Sequence, residues 1–381
     1  LQDPPHHDLC IVLTYYSPYV SGLTNVARDV AEGLAARGWK VCVVASRHEP
    51  DLPTREVVNG VEVVRAPVLA KVGKGTIGLN LTRLALREMA RSAVVNLHLP
   101  LVEAGVLARL ATVPVVSTYH CDVSLPTDDG PRVVRTVNAL QHKAIDFSSR
   151  VALKRSTAVV VSSEDYARHS RMWPAIEGSM VAVPPPCPPR GTGSPTFRRG
   201  PGLHVGFLGR IVEEKGVEYL VDAFRRLDDP DARLLIGGDF QGVAGGSVAA
   251  TVRRHIDGDP RIEMLGFLPE EQLDDFYASI DVFALPSVNA FEAFGIVQVV
   301  AMMAGVPALV SDIPGVRTVV ENTGFGAVAK PRDVAGLTEA LARLRDTPPD
   351  RAAGAASASA LYSVDAVLDA YEAVFAKSRG R

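Results

Sequence analysis

Residues 183–202 read VPPPCPPRGTGSPTFRRGPG. Proline fixes φ and removes the backbone donor, so this stretch can form neither a helix nor a central strand. It interrupts an alternation of short β-branched runs and longer amphipathic runs that fills the chain on both sides. Before it, Leu9–Leu13, Val41–Ala45, Val61–Arg65, Val94–Leu97, Val113–Thr118 and Ala158–Ser162 read as strands. Asn25–Arg37, Thr82–Arg91 and Val102–Ala111 carry helical spacing between them. After it the rhythm restarts with His204–Leu208, Leu234–Gly237, Ile262–Leu265, Val282–Leu285, Pro307–Val310 and Gly326–Ala329. The helices Val217–Arg226, Glu270–Ala278 and Ile296–Ala304 are interleaved. Short apolar runs bounded by Gly, Pro and Asp are strands buried on both faces, and strand–helix alternation implies a parallel, doubly wound sheet. The expected architecture is therefore α/β, with Rossmann-like domains over 1–183 and 203–363 and a Pro-rich linker over 184–202. A terminal helix, 364–378, is free to pack on the first of them.

A chain of 381 residues suits two such domains, and 47% hydrophobic with 22% charged residues excludes a disordered or fibrous polypeptide. The net charge of −3 provides no basic field for nucleic acid. Apolar runs such as Val159–Val161 and Ala301–Ala304 are far short of a membrane span. Cys10, Cys42, Cys121 and Cys187 lie far apart without a C-x-x-C pair, which suggests neither a zinc site nor a disulfide scaffold. The scattered cysteines fit a reducing compartment, so a cytoplasmic protein is expected.

Doubly wound sheets bind ligands outside the carboxyl ends of their strands, where helix N-termini present free amides. Three strand-to-helix turns could serve. The first, Tyr15–Thr24, holds Gly22, but its spacing is not G-x-G-x-x-G; it is either a binding loop or a plain turn. The second, Gly206–Gly216, carries Arg210 and Lys215, which are either phosphate ligands or solvated surface charges. In the third, Ser287–Gln298, Glu292 stands just before an apolar helix. It either complements the helix dipole or accepts bonds from ligand hydroxyls, while the amides of Phe294–Val297 receive a phosphate. Asp229-Pro230-Asp231 and Asp257-Gly258-Asp259 read as surface turns, and no metal site is expected.

In the second half, GFLGRIVEEKG (206–216), LLIGGD (234–239), MLGFLPEEQLDDFYASIDVFALPS (264–287) and FEAFGIVQ (291–298) follow one another. In the first half stand TYYSPYVSGLTNVARDVAEGLAARG (14–38), VNLHLP (95–100) and VVSTYHCDVSLP (115–126). In this order the motifs resemble the retaining GT-B glycosyltransferases of family GT4, over nearly the whole chain. The resemblance implies two Rossmann-like domains facing a central cleft, a nucleotide-sugar co-substrate, retention of anomeric configuration, and no cofactor or metal. It implies that Arg210 and Lys215 hold the donor diphosphate and that Gly22, Glu292, Phe294, Gly295, Ile296 and Val297 complete the donor site. It places His120 where the family keeps its donor-sugar histidine. The family's E-x7-E motif begins at Glu292, but its second Glu would fall at position 300, where this chain has Val300. A deoxyribose donor, an unusual nucleotide pose and weakened activity are all open. Val183–Pro186 also replaces the Asn-Gly turn common in the family.

Taken alone, His120 could be a hydrogen-bonded structural residue; within its motif it is assigned to the site. His98 and Asp122 are assigned to the acceptor side, Asp122 either orienting an acceptor or capping a turn. Cys121 reads as a packed thiol. The stretch AKVGKGTIGLNLTRLALREMARS (70–92) places Arg83, Arg87 and Arg91 on one helical stripe, with Lys71 and Lys74 before them. It is either the solvated outer face of a Rossmann helix or a peripheral contact with an anionic inner membrane face. The acceptor is left open among lipid-linked sugars, inositol phosphate, thiol precursors and natural products. A nucleotide-sugar epimerase or isomerase of the same fold and a non-catalytic sugar-nucleotide binder are the competing functions.

Overall fold

The computed structural model describes residues 6–68, 70–72, 75–77, 79–123, 132–239 and 247–380. The chain divides into two compact units, Leu1–Pro186 with Val364–Arg381, and Cys187–Ser363.

The first unit contains strands β1 (His7–Val12), β2 (Val41–Ser46), β3 (Arg55–Val58), β4 (Val61–Ala66), β5 (Ala70–Val72), β6 (Gly75–Ile77), β7 (Ser92–Leu99), β8 (Val115–Tyr119), β9 (Ala158–Val161) and β10 (Met180–Ala182). Its main sheet has the order β10-β9-β8-β7-β1-β2-β4-β3, and β5 and β6 form a separate ribbon. The ribbon is antiparallel, and within the main sheet all neighbours are parallel except β3 and β4. Their hairpin turns at Asn59-Gly60, both at positive φ, as a two-residue turn between twisted strands requires.

The second unit contains β11 (His204–Leu208), β12 (Arg233–Gly237), β13 (Ile262–Gly266), β14 (Val282–Leu285), β15 (Ala308–Ser311) and β16 (Gly326–Ala329), in the all-parallel order β13-β12-β11-β14-β15-β16. The central strands of both sheets are buried on both faces, which is why they read as continuous apolar runs. In each unit the strand order reverses once: between β1 and β7, and between β11 and β14. A crevice opens at the carboxyl side of such a switch point.

The stretch expected as a linker contains no helix or named strand, but from Cys187 onward it belongs to the second unit and is fastened there. Arg190 Nε donates to Asp274 Oδ1 at 2.6 Å, Ser194 N to Asp275 Oδ1 at 2.8 Å, and Phe197 N to Ser279 Oγ at 3.0 Å. Side chains of the helix Glu270–Ser279 thus satisfy backbone that proline and glycine keep extended. The two ends of this unit also meet: Cys187 N donates to Tyr362 O at 3.1 Å, and Cys187 bridges Ser363 as in a parallel sheet.

The terminal helix Val364–Arg379 returns to the first unit. It fits against the helix Gly22–Ala36, where a Cβ on Gly33 would stand 2.5 Å from Leu368 Cδ1. Trp39 Nε1 donates to Glu372 at 3.1 Å, and Arg37 pairs with Asp369 at 2.7 Å. The basic stretch 70–92 yields the helix Leu79–Met89, which buries Leu81, Ala85 and Met89 on the sheet and exposes Arg83 and Arg87. Arg91 lies 3.3 Å from buried Glu88. Residues 73, 74 and 78, and with them Lys74, lie outside the described residues, as do 124–131 and 240–246. No helix among the described residues is long and apolar enough to cross a membrane.

Candidate active site

At the switch point of the second unit, β11 leads through Arg210 into a 3-10 turn, Glu213–Lys215, and then into the helix Val217–Arg225. β14 leads through Ser287 and Glu292 into the helix Ile296–Met303. The two loops are laced together. Val288 N donates to Glu214 O at 2.9 Å, and Gly216 sits at φ 60° against Pro286 O, where a Cβ would approach to 2.4 Å. Lys215 Nζ donates to Glu292 Oε2, which also accepts from buried Ser287 Oγ at 3.3 Å. Arg210, more exposed, pairs with Glu214 at 2.7 Å.

The helix Ile296–Met303 begins at Gly295, with φ 76° and no side-chain cap. A Cβ there would lie 2.5 Å from Leu285 Cδ2. Its first amides have no intrahelical acceptor and carry the positive end of the helix dipole. Buried Gln298 donates from Nε2 to Phe294 O (2.7 Å) and Val316 O (3.0 Å), which fixes the turn that presents those amides. The Phe294 ring is core, packed on Tyr362 at a centroid distance of 5.7 Å, so its backbone alone faces the turn. Ile296 and Val297 are half-buried. Val300 is half-buried against the apolar cluster containing Phe283, Leu285 and Val299.

In the first unit, the helix Gly22–Ala36 follows β1 and is capped by Ser21, whose Oγ accepts from Thr24 N at 3.2 Å. A Cβ on Gly22 would meet nothing within 4 Å. The turn therefore does not need glycine for its own packing, unlike those at Gly216 and Gly295.

On the far side of the same switch point, His98 of β7 and His120, just past β8, join rings. His98 Nδ1 lies 2.9 Å from His120 Nε2. Burial, with a further contribution from His120, holds the His98 pKa well below its ordinary value; burial holds that of His120 down to about 4. Both rings are neutral near pH 7. His98 Nε2 is buried with no hydrogen-bond partner among the described residues. Leaving a bare lone pair there is cheaper than leaving an N–H, so His98 Nδ1–H is assigned as donor to His120 Nε2. His120 then carries its hydrogen on Nδ1.

Asp122 is engaged by its own unit. It accepts from Tyr119 OH, from Ser170 Oγ at 2.7 Å and from Arg171 N at 3.4 Å, and its amide donates to Tyr166 OH at 2.8 Å. The two Asp-x-Asp strings are turns. Asp229 Oδ1 accepts from the amides of Asp231 and Ala232 at 3.1 Å each, and Asp259 pairs with Arg261 at 2.8 Å.

The sequence reading named Arg210, Lys215, Glu292 and Gly295, and the fold brings them to one switch point. It named His98 and His120 without foreseeing their hydrogen bond. It did not single out Ser287, Gln298 or Gly216. The signal for Gly216 was a glycine between a charged turn and an apolar helix; Ser287 and Gln298 carried none.

Two family models fit the chain almost end to end: the "Glycosyl transferase 4-like domain" over residues 21–186, and "Glycosyl transferases group 1" over 198–358. The chain is a GT4-type group 1 glycosyltransferase. Among its relatives is the 2-deoxystreptamine glucosyltransferase of Streptomyces kanamyceticus, 28% identical, the match covering 76% of this glycosyltransferase and 80% of that one. A D-inositol 3-phosphate glycosyltransferase of Xylanimonas cellulosilytica is also 28% identical, over 92% and 91% of the two chains. Sucrose-phosphate synthase from Thermosynechococcus elongatus shares the GT-B fold, with a TM-score of 0.71, 19% identity, and coverage of 98% of this chain and 100% of that one. So does Anabaena HepE in complex with UDP-glucose, at a TM-score of 0.66, 16% identity, and coverage of 97% and 100%.

Proposed function

We propose that this glycosyltransferase moves a sugar from a nucleoside diphosphate to a hydroxyl acceptor, with retention of configuration and without metal or other cofactor. The observation that carries this reading is the Lys215–Glu292 pair at the switch point of the second unit, beside the uncapped helix start at Gly295. Lys215 and Glu292 neutralise each other there. A diphosphate at the helix start competes for Lys215 and releases Glu292 to accept bonds from sugar hydroxyls.

As the bond from C1 to the phosphate oxygen breaks, Lys215, Arg210 and the amides of Gly295–Val297 meet the growing charge. The acceptor oxygen bonds to C1 on the same face, and its proton passes to an oxygen of the departing phosphate. Cationic side chains and amides supply the charge that a metal would otherwise supply. His120, neutral near pH 7, acts as a hydrogen-bond donor to sugar and not as a charge. The Anabaena relatives solved with UDP and UDP-glucose support a nucleotide-linked donor. The relatives named for 2-deoxystreptamine and D-inositol 3-phosphate make a cyclitol the first acceptor to try.

Val300 offers no acceptor atom to a ribose, so weak discrimination between ribose and deoxyribose donors belongs to the same reading. A thermal-shift panel of UDP-, GDP-, ADP- and dTDP-sugars, followed by mass spectrometry of products with and without a cyclitol, tests it. A donor that binds only the folded state raises the midpoint. A new glycoside formed only with acceptor is expected. Conversion of the nucleotide sugar itself without acceptor would replace transfer by isomerisation.

A further inference from the structure

At the amino ends of the strands in the first unit, opposite to His98 and His120, lies a group of side chains that the transfer reaction does not use. His7 opens β1, Cys42 is second in β2, and Glu88 precedes the last residue of the helix Leu79–Met89. All three are buried: His7 is 4% exposed, Cys42 and Glu88 0%. A ring nitrogen of His7, the Cys42 sulfur and a Glu88 oxygen lie within 4.8 Å of one another. Cys10 is the direct register partner of Cys42 across β1 and β2, so the two side chains lie next to each other on one face of the sheet.

The tautomer of His7 is set from outside the group. Its Nε2 lies 2.7 Å from Glu62 Oε2, and a carboxylate only accepts, so Nε2 carries the hydrogen. Nδ1 is then a lone pair, buried and without a hydrogen-bond partner among the described residues. An imidazole held by a carboxylate through one nitrogen, with the other left open, is the arrangement that orients and strengthens a metal-binding histidine.

We propose that His7, Cys10, Cys42 and Glu88 form a structural zinc site. Thiolate, imidazole and carboxylate together are donors that zinc accepts in tetrahedral geometry. Ordinary zinc–ligand bonds put neighbouring ligand atoms roughly 3.3–3.8 Å apart. A modest contraction brings His7, Cys42 and Glu88 to that spacing, and Cys10, outside their 4.8 Å grouping, has to swing in from the neighbouring position on β1. Charge balances as well. Two thiolates and Glu88 exceed the ion by one negative charge, Glu62 adds another, and Arg55 and Arg91 answer both. Arg55 lies 2.8 Å from Glu88 and also pairs with Glu62, and Arg91 lies 3.3 Å from Glu88. Four protein ligands leave no position open for a substrate, so the ion would tie β1, β2 and the covering helix together and take no part in transfer. Uptake accompanies folding, because the ligands come from three separate elements.

The full chain, produced without a polyhistidine tag in zinc-supplemented medium and dialysed against a weak chelator, is to be analysed for metal by mass spectrometry. About one zinc per chain is expected, falling at least fivefold in Cys42→Ser and unchanged in His6→Ala. A metal-free wild-type chain overturns the proposal. So does zinc retained in Cys42→Ser, whether or not His6→Ala loses it, because the ion would then sit elsewhere, as at the grouping of exposed His6 with His7 and Glu62. Should Cys42→Ser fail to fold, a chain carrying Cys121→Ala and Cys187→Ala is loaded with cobalt(II). Its only remaining thiols are Cys10 and Cys42. Thiolate-to-cobalt absorption supports the site, and its absence overturns it.

Discussion

The two sheets have the same strand order at their centres, yet their switch points are furnished in opposite ways. In the second unit the loops after β11 and β14 are charged, and their glycines are needed by the fold: Gly216 and Gly295 lie at positive φ and press on backbone or core. In the first unit the corresponding positions carry a neutral histidine pair and a glycine, Gly22, beside open space. A common architecture therefore does not fix a common chemistry. One end is built to hold separated charge, and the other to offer uncharged donors and room.

The contrast can be broken most sharply at Gly295. Gly295→Ala adds a Cβ at φ 76° and 2.5 Å from Leu285 Cδ2, and urea unfolding should register a loss of about 2–4 kcal/mol. Next come the charges. Lys215→Ala and Arg210→Ala should each lower turnover roughly tenfold to a hundredfold while the unfolding midpoint stays put, because a charge-assisted bond to phosphate contributes about 1.5–3 kcal/mol. Near-normal turnover in both variants would remove the second unit's claim to the diphosphate.

The histidine pair gives an effect of about 2 kcal/mol that depends on pH. His98 and His120 are held below the unfolded value, His120 down to about 4. The stability they confer is complete above about pH 6.5 and is lost as the pH falls toward 4, because the unfolded chain binds protons that the native pair refuses. Urea midpoints at pH 7 and 5 should differ more in the native chain than in a His98→Asn, His120→Asn variant. Equal pH dependence would mean the pair is not neutral. Gly22→Ala should change stability by no more than about 0.5 kcal/mol, since the added methyl meets nothing. A marked fall in kcat/KM beside that unchanged stability would show that a ligand uses the space.

The strands legible in the sequence were those buried on both faces, because apolar runs bounded by glycine and proline have few alternatives. β3 was missed: Arg55–Val58 alternates exposed and half-buried residues at a sheet edge. The Asn59-Gly60 turn beside it was the available signal. The long helix Arg132–Arg155 also went unread, its polar composition giving a weak apolar stripe. At the site, Lys215 and Glu292 could be named from their motifs, but not their pairing across 77 residues. Nor does cysteine spacing bring Cys10 to Cys42; only the register of β1 on β2 does so. For Asp122, its place beside His120 left open an acceptor-orienting role or a turn cap, and its partners Tyr166, Ser170 and Arg171 come from a distant stretch of chain that local sequence does not reveal.

The bridge between Cys187 and Ser363 has a consequence for engineering. The second unit is an uninterrupted segment whose two ends are neighbours, as in a strand pair, where chains lie about 5 Å apart. Such a segment is a cassette. It can be cut at those two residues and exchanged for that of a relative without redesigning the host, provided the replacement keeps its ends equally close. Grafting would then separate what each half of the enzyme selects, one half at a time.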